Sequence, residues 1–426
     1  MIGFTERSER FASFLLSAIL LFFPATLLIS RDANNGFFYL AVFLGLAAIV
    51  LRLNPCKLTF GAFAKKTYGF IIAFAALTVA VLISQTVIQD VRLRYFELPM
   101  RLMAFPIVVY AFLLLPASQF KLVRFGLIAG ALLNLVVFCA MTDFGAIRQN
   151  YTFRGFPVIP FADCALLVGM LSLTALFIPG QKRIVNVFLI LAFFAGLYVS
   201  VAYQTRGGWV ALLPYFLLMG YWTCRRYNKV NIKTLTGIVV MMILAGSAFL
   251  SVPIVKDRVD LARAEIALYS GGKGKDTSVG LRLQMYETAF LMAKEKPFFG
   301  VGVKKRLEDV PEINRMVEEK VITKGMLNMA HMHNDPLQYL FSTGVLGFLA
   351  TLLLYLVPFF YFFKADKQSH GNNPFARLGI VTALSYFIFG MTDLMLYRDT
   401  TVNIYTMLLA IAVAFTIRQH YEEQHL

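Results

Sequence analysis

Asn328-Met-Ala-His331-Met-His333-Asn334-Asp335-Pro336-Leu-Gln338-Tyr-Leu-Phe-Ser-Thr-Gly344-Val-Leu-Gly347 carries two of the chain's five histidines and opens an apolar run that continues to Phe363. Asp335 reads as an N-cap, and Pro336 fits the first helical position, where its missing N–H is not needed. A membrane helix is therefore expected to start here, with His331 and His333 at its mouth. The positive end of the helix dipole disfavours imidazolium, which would leave a histidine neutral and able to accept a proton. Gly344 and Gly347, three apart, are expected on one helix face, where another backbone can approach closely.

The composition around this stretch belongs to a membrane. Of the 426 residues, 58% are hydrophobic and only 15% charged, with 41 phenylalanines. No soluble domain has this balance, and the apolar blocks are as long as a bilayer is thick. About twelve such blocks are expected, bounded by Lys/Arg or Pro, at residues 11–29, 36–53, 69–89, 99–116, 121–141, 160–179, 184–204, 208–224, 234–254, 337–363, 376–395 and 400–417. The first follows a charged leader without a small-residue cleavage site, so it reads as a retained helix. The expectation is an all-α polytopic membrane protein, one integral domain over residues 1–426 with an inserted loop at 255–335. Cys56, Cys139, Cys164 and Cys224 show no paired spacing and suggest neither a disulfide framework nor a metal cluster. The net charge of +16 invites a nucleic-acid reading. Its distribution defeats that reading. With the N-terminus inside, pairs such as Lys65-Lys66, Lys182-Arg183 and Arg225-Arg226 fall on the cytoplasmic side, as the positive-inside rule requires.

Taken in order, residues 1–90 read as scaffold. The external loop after the third block carries Arg92, Arg94 and Arg101, either as snorkelling interfacial cations or as an anion clamp facing a cavity. Asp143, Arg148, Tyr151 and Arg154 after the fifth block read as ordinary loop charges. Tyr203-Gln204-Thr205-Arg206-Gly207-Gly208-Trp209 joins two apolar helices with almost no connection. Arg206 is thus held at membrane depth, where a cation is costly unless paired or facing water. In the external insertion, amphipathic helices are expected near 256–270, 281–296 and 304–320. The glycine-rich 271–280 segment reads as a flexible link without the order of a nucleotide loop. Arg282 and Tyr286 share a helix face there, Leu281, Met285 and Phe290 are placed to dip into the interface, and Lys304–Lys324 reads as a solvated face. The last external turn, Met391 to Asp399, adds an ionisable cluster that includes Asp393.

These residue types favour one chemistry. A His-x-His pair without HExxH, and with no third ligand in helical reach, argues against metal. No G-x-S-x-G elbow marks a serine nucleophile. Arginines suit pyrophosphate, which they bind bidentately, and a histidine suits proton removal from a hydroxyl. Together they propose a hydroxyl attacking while a pyrophosphate leaves, with arginine charge in place of a metal ion.

His333-Asn334, nine residues, then Gly344-x-x-Gly347 resembles the H-N-x9-G-x-x-G signature of bacterial O-antigen ligases, at the end of that family's large periplasmic loop. Gln204-Thr205-Arg206 and Gly280-Leu-Arg282-Leu-Gln-Met-Tyr286-Glu287 resemble its two arginine segments, and the hydropathy match extends over nearly the whole chain. The histidine motif is shared with O-antigen polymerases and protein O-oligosaccharyltransferases. The resemblance implies a GT-C-like fold with the periplasmic loop between helices 9 and 10, in the inner membrane of a Gram-negative bacterium, with both termini cytoplasmic. It implies an inverting, metal- and cofactor-free transfer of O-antigen from undecaprenyl pyrophosphate to a sugar hydroxyl of lipid A–core, with no nucleic-acid partner. Carried over by position, His333 is the base or acceptor-orienting group, and Arg206 and Arg282 hold the pyrophosphate. His331, Asn334, Arg92, Arg94, Arg101, Tyr286 and Asp393 are further substrate-binding candidates. A lipid-linked glycan transporter or flippase fits the helix count and Arg206 equally well. It leaves the histidines at a helix mouth unexplained, and no internal repeat of the transporter kind is visible.

Overall fold

The structure, a computed structural model, describes residues 2–53, 58, 60–142, 156–227, 232–370 and 372–425. Among them the regular structure is helical. The first half of the bundle is α1 (Ile2–Thr26), α2 (Arg31–Val50), α3 (Phe60–Ile88), α4 (Glu97–Met103), α5 (Phe105–Phe112), α6 (Lys121–Thr142), α7 (Val158–Thr174) and α8 (Arg183–Ala202). There follow α9 (Arg206–Trp209), α10 (Leu212–Arg226), α11 (Ile232–Ser251), α12 (Pro253–Ser270), α13 (Ser278–Glu295) and α14 (Pro311–Glu318). The chain closes with α15 (Asp335–Gln368), α16 (Pro374–Gly390) and α17 (Asp399–His425). The loop with Asp143, Arg148, Tyr151 and Arg154, and Cys56, lie outside the described residues.

Eight described helices are long and apolar enough to cross a bilayer, or nine if the bent pair α11–α12 counts as one span. The polytopic class is therefore as expected, but four of the twelve expected blocks are broken, bent or short rather than single long helices. Residues 99–116 break at Ala104 into α4 and α5, with Pro106 at the start of α5, where it cannot continue the ladder of the preceding helix. The 208–224 block becomes α9 followed by the 15-residue α10. At the end of α11 the chain turns by 87° into α12, and α16 has only 17 residues. Hydropathy reports length of apolar sequence and is blind to these breaks.

The apolar window of α17 is wholly buried, whereas those of α2 and α3 are about one-third to two-fifths buried. A helix apolar all round needs either helices or lipid on every side. So α17 forms the centre of the bundle and α2 and α3 its lipid face. Tyr386 of α16 donates to the Thr401 carbonyl at 2.7 Å, and Tyr405 of α17 donates to the Leu354 carbonyl at 2.6 Å. Hydroxyls in a dry interior must find such acceptors. Gly169 of α7 and Gly196 of α8 bring their backbones together, since a Cβ on Gly196 would collide with the Ala165 carbonyl.

The polar insertion builds its own small core from Met285, Met292, Ile313, Met316 and Met326, and joins it to Leu337, Leu340 and Phe341 of α15. Met285, expected to dip into the membrane interface, is 1% exposed inside this core. Phe290 stays exposed. The 271–280 link is tied down rather than flexible: Gln284 Nε2 donates to the Lys275 carbonyl at 2.7 Å, and Thr277 Oγ1 caps α13 by accepting from Gly280 N–H. The third expected amphipathic helix shortens to α14. The charges around it form surface ion pairs such as Lys296–Glu312 and Arg315–Glu295.

Gly344 does not share a helix face with Gly347; it breaks α15, with φ 70° and ψ −160°. The freed Phe341 and Ser342 carbonyls accept from Val301 and Gly302 N–H, both at 2.9 Å, and Val345 N–H donates to the Pro297 carbonyl at 2.8 Å. Ser84 of α3 donates to the Phe299 carbonyl at 2.6 Å. The 297–302 strap is thus sewn into the break. Only glycine tolerates this backbone, and a Cβ at 344 would collide with the Phe298 carbonyl. Gly344→Ala is expected to lose about 2 kcal/mol or more, or to fail to give a monodisperse protein. Gly246→Ala in α11, with open space around it, is expected to stay within about 1 kcal/mol of the parent. Thermal unfolding of both purified variants in detergent checks the contrast.

Candidate active site

Three consecutive residues at the start of α15 grip the α16–α17 turn. His333 Nδ1 lies 3.0 Å from Asp393 Oδ1. Asn334 Nδ2 donates to the Met391 carbonyl at 3.0 Å. The buried Asp335 carboxylate accepts from Met395 N–H at 2.9 Å, from Leu396 N–H at 3.0 Å and from the Tyr355 hydroxyl at 2.6 Å. Asn334, not Asp335, is the N-cap: its Oδ1 accepts from Leu337 N–H at 3.0 Å. Asp335 is one residue too far along the chain to cap, and the turn claims its oxygens instead. His333 holds φ 48°, a left-handed backbone uncommon for a residue with a side chain and often stored at functional sites. Gln338 Oε1 accepts from Met332 N–H at 2.9 Å and keeps the His331–His333 segment folded back over the helix end.

Asp393 is buried. Burial works against its charge, but the hydrogen bond and charge of His333 and the Leu394 N–H hold its carboxyl below the usual range. A carboxylate only accepts, so Nδ1 of His333 carries the proton and Nε2 is left as the basic nitrogen. The neighbouring His331 ring lies 4.3 Å away, centroid to centroid. Burial, then the neighbouring His333, and in smaller part Arg398, push His331 down to about 4. It is neutral as expected, although burial rather than the helix dipole is the main cause. In that neutral state its Nε2 accepts from Arg398 Nη2 at 3.1 Å.

His333 and Asp393 open on a cavity of about 330 Å³ whose wall includes Pro157, Val158, Tyr203, Gln204, Thr205, Arg206, Arg258, Ser278, Arg282, Thr392 and Arg398. Four arginines thus face one carboxylate, so the cavity favours anions. Arg206 projects from the break between α8 and α10, where Gln204 turns left-handed at φ 56°. Its Nη1 donates to the Arg258 carbonyl at 3.0 Å, and its Nη2 to Glu265 at 3.2 Å. Glu265 also accepts from Val279 N–H at the start of α13. Gly208 admits the Asp163 side chain of α7: a Cβ there would collide with Asp163 Oδ1. Arg282 approaches from the first turns of α13.

The expected site residues divide. His333, Arg206, Arg282 and Asp393 come together on the cavity wall, and His331 stands directly behind it. Asn334 and Tyr286 do not line it. Both brace the turn, since the Tyr286 hydroxyl donates to the same Met391 carbonyl at 3.1 Å, and burial raises its pKa. Arg92, Arg94 and Arg101 are elsewhere too. Arg92 pairs with Asp90 at 2.6 Å, Arg94 stacks on Tyr95, and Arg101 is buried among Asn35, Asn403, Glu97 and the Tyr39 ring. These partners are distant in sequence or ordinary-looking, so an unpaired-cation reading of that loop had no signal against it. Sequence reasoning missed Arg258, Glu265 and Arg398. The first two look like solvated charges on an amphipathic helix, and Arg398 was one charge within a cluster.

The expectation of no third metal ligand holds only along the helix. Donor atoms of His331, His333 and Asp393 lie within 4.8 Å of one another, because the turn supplies Asp393 across sixty residues of chain. Against a cation stand the four arginines of the same cavity and the Arg398 guanidinium already placed on His331.

The fold and site define a polytopic membrane protein with a histidine–aspartate pair over an arginine-lined cavity. Residues 190–352 match the O-antigen ligase family model, so this part of the chain is similar to that family. It is 24% identical over 391 residues to an uncharacterized protein of Haemophilus influenzae, covering 89% of this chain and 93% of the relative. It is 28% identical over 173 residues to the O-antigen ligase of Escherichia coli K12, covering 40% of each.

The His331 value carries a pH consequence. Its folded pKa, about 4, lies below the ordinary histidine value of 6.5, so between them the unfolded chain binds more protons and stability falls as pH drops. A His331→Gln variant keeps a neutral acceptor for Arg398 and cannot titrate. Between pH 7.5 and 5.0 it is expected to lose less thermal stability than the parent, as read by melting curves of the purified protein. Equal losses would remove His331 from the acid response.

Proposed function

We propose that the protein is an O-antigen ligase: an inverting membrane glycosyltransferase that moves a glycan from undecaprenyl pyrophosphate to a sugar hydroxyl of lipid A–core. The observation that carries this reading is the His333–Asp393 pair opening on a cavity lined by four arginines, of which Arg206, Arg258 and Arg282 lie with His333 in the segment that matches the ligase family. The E. coli relative is named as a ligase, which favours ligation over the polymerase and protein-transferring relatives. The reading places the protein in the inner membrane with both termini cytoplasmic and the cavity facing the periplasm, where both lipid-linked substrates meet.

In this mechanism His333 Nε2 takes the proton of the acceptor hydroxyl as its oxygen attacks the anomeric carbon. Asp393 fixes the tautomer and balances the imidazolium that forms. The bond from the anomeric carbon to the pyrophosphate oxygen breaks on the opposite face, so the configuration inverts. Arg206 and Arg282 stabilise the charge that develops on the leaving pyrophosphate. Arg258 of α12 and Ser278 and Arg282 of α13 wall the cavity on the side of the insertion.

The test uses purified protein with a lipid-pyrophosphate-linked glycan, with and without rough lipopolysaccharide. Glycan is expected on the lipopolysaccharide, and His333→Ala is expected to lower the rate by about 10²–10⁴-fold while the protein stays folded. Elongation of the donor without an acceptor would make the protein a polymerase, and normal activity in His333→Ala would remove the base. Arg206→Lys is expected to fail despite its charge, because one ammonium does not replace the two-pronged hold on Glu265 and the Arg258 carbonyl. EDTA is expected to leave the rate unchanged. Inhibition reversed by a divalent cation would assign the His331, His333 and Asp393 cluster to a metal.

A further inference from the structure

The arginines of the cavity are not equivalent. Arg206 spends both terminal nitrogens on the Arg258 carbonyl and Glu265, so its charge is largely balanced before any substrate arrives. Arg398 is different. Among the described residues it forms no ion pair within 4 Å. Its Nη2 donates to a neutral imidazole, His331 Nε2 at 3.1 Å, and its buried Nε has no partner. A neutral acceptor orients a guanidinium without neutralising it, which a carboxylate cannot do. Arg282 likewise has no hydrogen bond or ion pair among the described residues and lines the same cavity. By contrast Arg31, Arg101 and Arg206 each meet a carboxylate.

We propose that Arg398, aimed by His331, is a second direct anion-binding residue of the site and acts with Arg282 to hold the two phosphates of a pyrophosphate group. Arg206 then serves as the strap that fixes α9 to α12 and α13 and supplies charge from a fixed position. Two guanidiniums with no carboxylate within 4 Å among the described residues match a diphosphate better than a single phosphate, because each presents a planar fork of donors. The assignment of this anion to the leaving group rests on the ligase reading above. The presence of the anion site does not.

The experiment measures binding of inorganic pyrophosphate and of inorganic phosphate to the purified full-length protein in detergent, separately from glycan transfer. The parent is expected to bind pyrophosphate at least about 10-fold more tightly than phosphate, and Arg398→Gln to lose about 10-fold or more of that affinity, as expected for a charged hydrogen-bonded contact. Arg282→Gln is expected to do the same. His331→Glu separates binding from a purely structural role. It strengthens the tether on Arg398 but neutralises it, so a structural role predicts full or improved function, whereas an anion site predicts the same loss as Arg398→Gln. If Arg398→Gln does not fold, His331→Glu and Arg282→Gln carry the test. Unchanged pyrophosphate affinity in Arg398→Gln or in His331→Glu overturns the proposal, as does a parent that binds neither anion or binds both equally. Phosphatidylglycerol added to the micelles is expected not to displace pyrophosphate; displacement would make the site a lipid-headgroup site and overturn it as well. Should pyrophosphate bind as expected with no glycan transferred, the ligase reading falls and the anion site stands.

Discussion

The grip of His333, Asn334 and Asp335 on the turn between α16 and α17 is the contact on which the site depends. Each residue takes a different partner in that turn: a carboxylate, a carbonyl and a pair of backbone N–H groups. The four groups sit where water is scarce, so each would be costly to leave unpaired, and one register satisfies them all. Sliding the turn by one residue would strand the Asp335 carboxylate and move Asp393 away from the imidazole. The geometry of the proposed base is therefore set by backbone bonds that never touch a substrate. Tyr286 adds a second hand on the Met391 carbonyl from the insertion, which couples the placement of α13, and hence Arg282, to the same turn.

A second constraint lies ten residues on, where Gly344 interrupts α15. A broken helix inside a membrane leaves carbonyls without partners, a state the bilayer does not tolerate. Here the 297–302 strap supplies the missing donors. The insertion is thus built into the bundle rather than hung from it, and the break makes its docking specific. The cavity inherits this stiffness, because its walls come from α7, from the α8–α10 break, from the insertion and from the α16–α17 turn. Charge follows the same logic. A cation at membrane depth must be paired or face water, and Arg206 is paired with Glu265, whereas Arg398 and Arg282 form no ion pair among the described residues and line the cavity.

Membrane class was legible in the chain, as was the interest of His333, Arg206 and Arg282, which the structure gathers on one cavity wall, because both depend on composition and short-range order. Apolar length reports a span, a hydrophilic block reports an insertion, and a histidine beside a helix start reports a mouth. The same reasoning did not foresee the breaks in the helices, since Pro106, the α8–α10 break and the bend after α11 alter the path without altering hydropathy. It also did not foresee the surroundings of Arg101, whose partners Asn35 and Asn403 lie far away in the chain, while Arg92 and Arg94 meet the nearby Asp90 and Tyr95.

What only the tertiary structure decided is which charges are balanced. Nothing local distinguishes Arg206, tied to Glu265 fifty-nine residues away, from Arg398, held by a neutral histidine sixty-seven residues away. Nor does the chain announce that Asp393 completes the histidine pair, or that Asp335 serves the turn instead of its own helix. Helix-forming pattern and burial tendency are properties of neighbours along the chain, and the sequence determines them alone. Electrostatic balance is a property of neighbours in space, and it exists only once the bundle has closed.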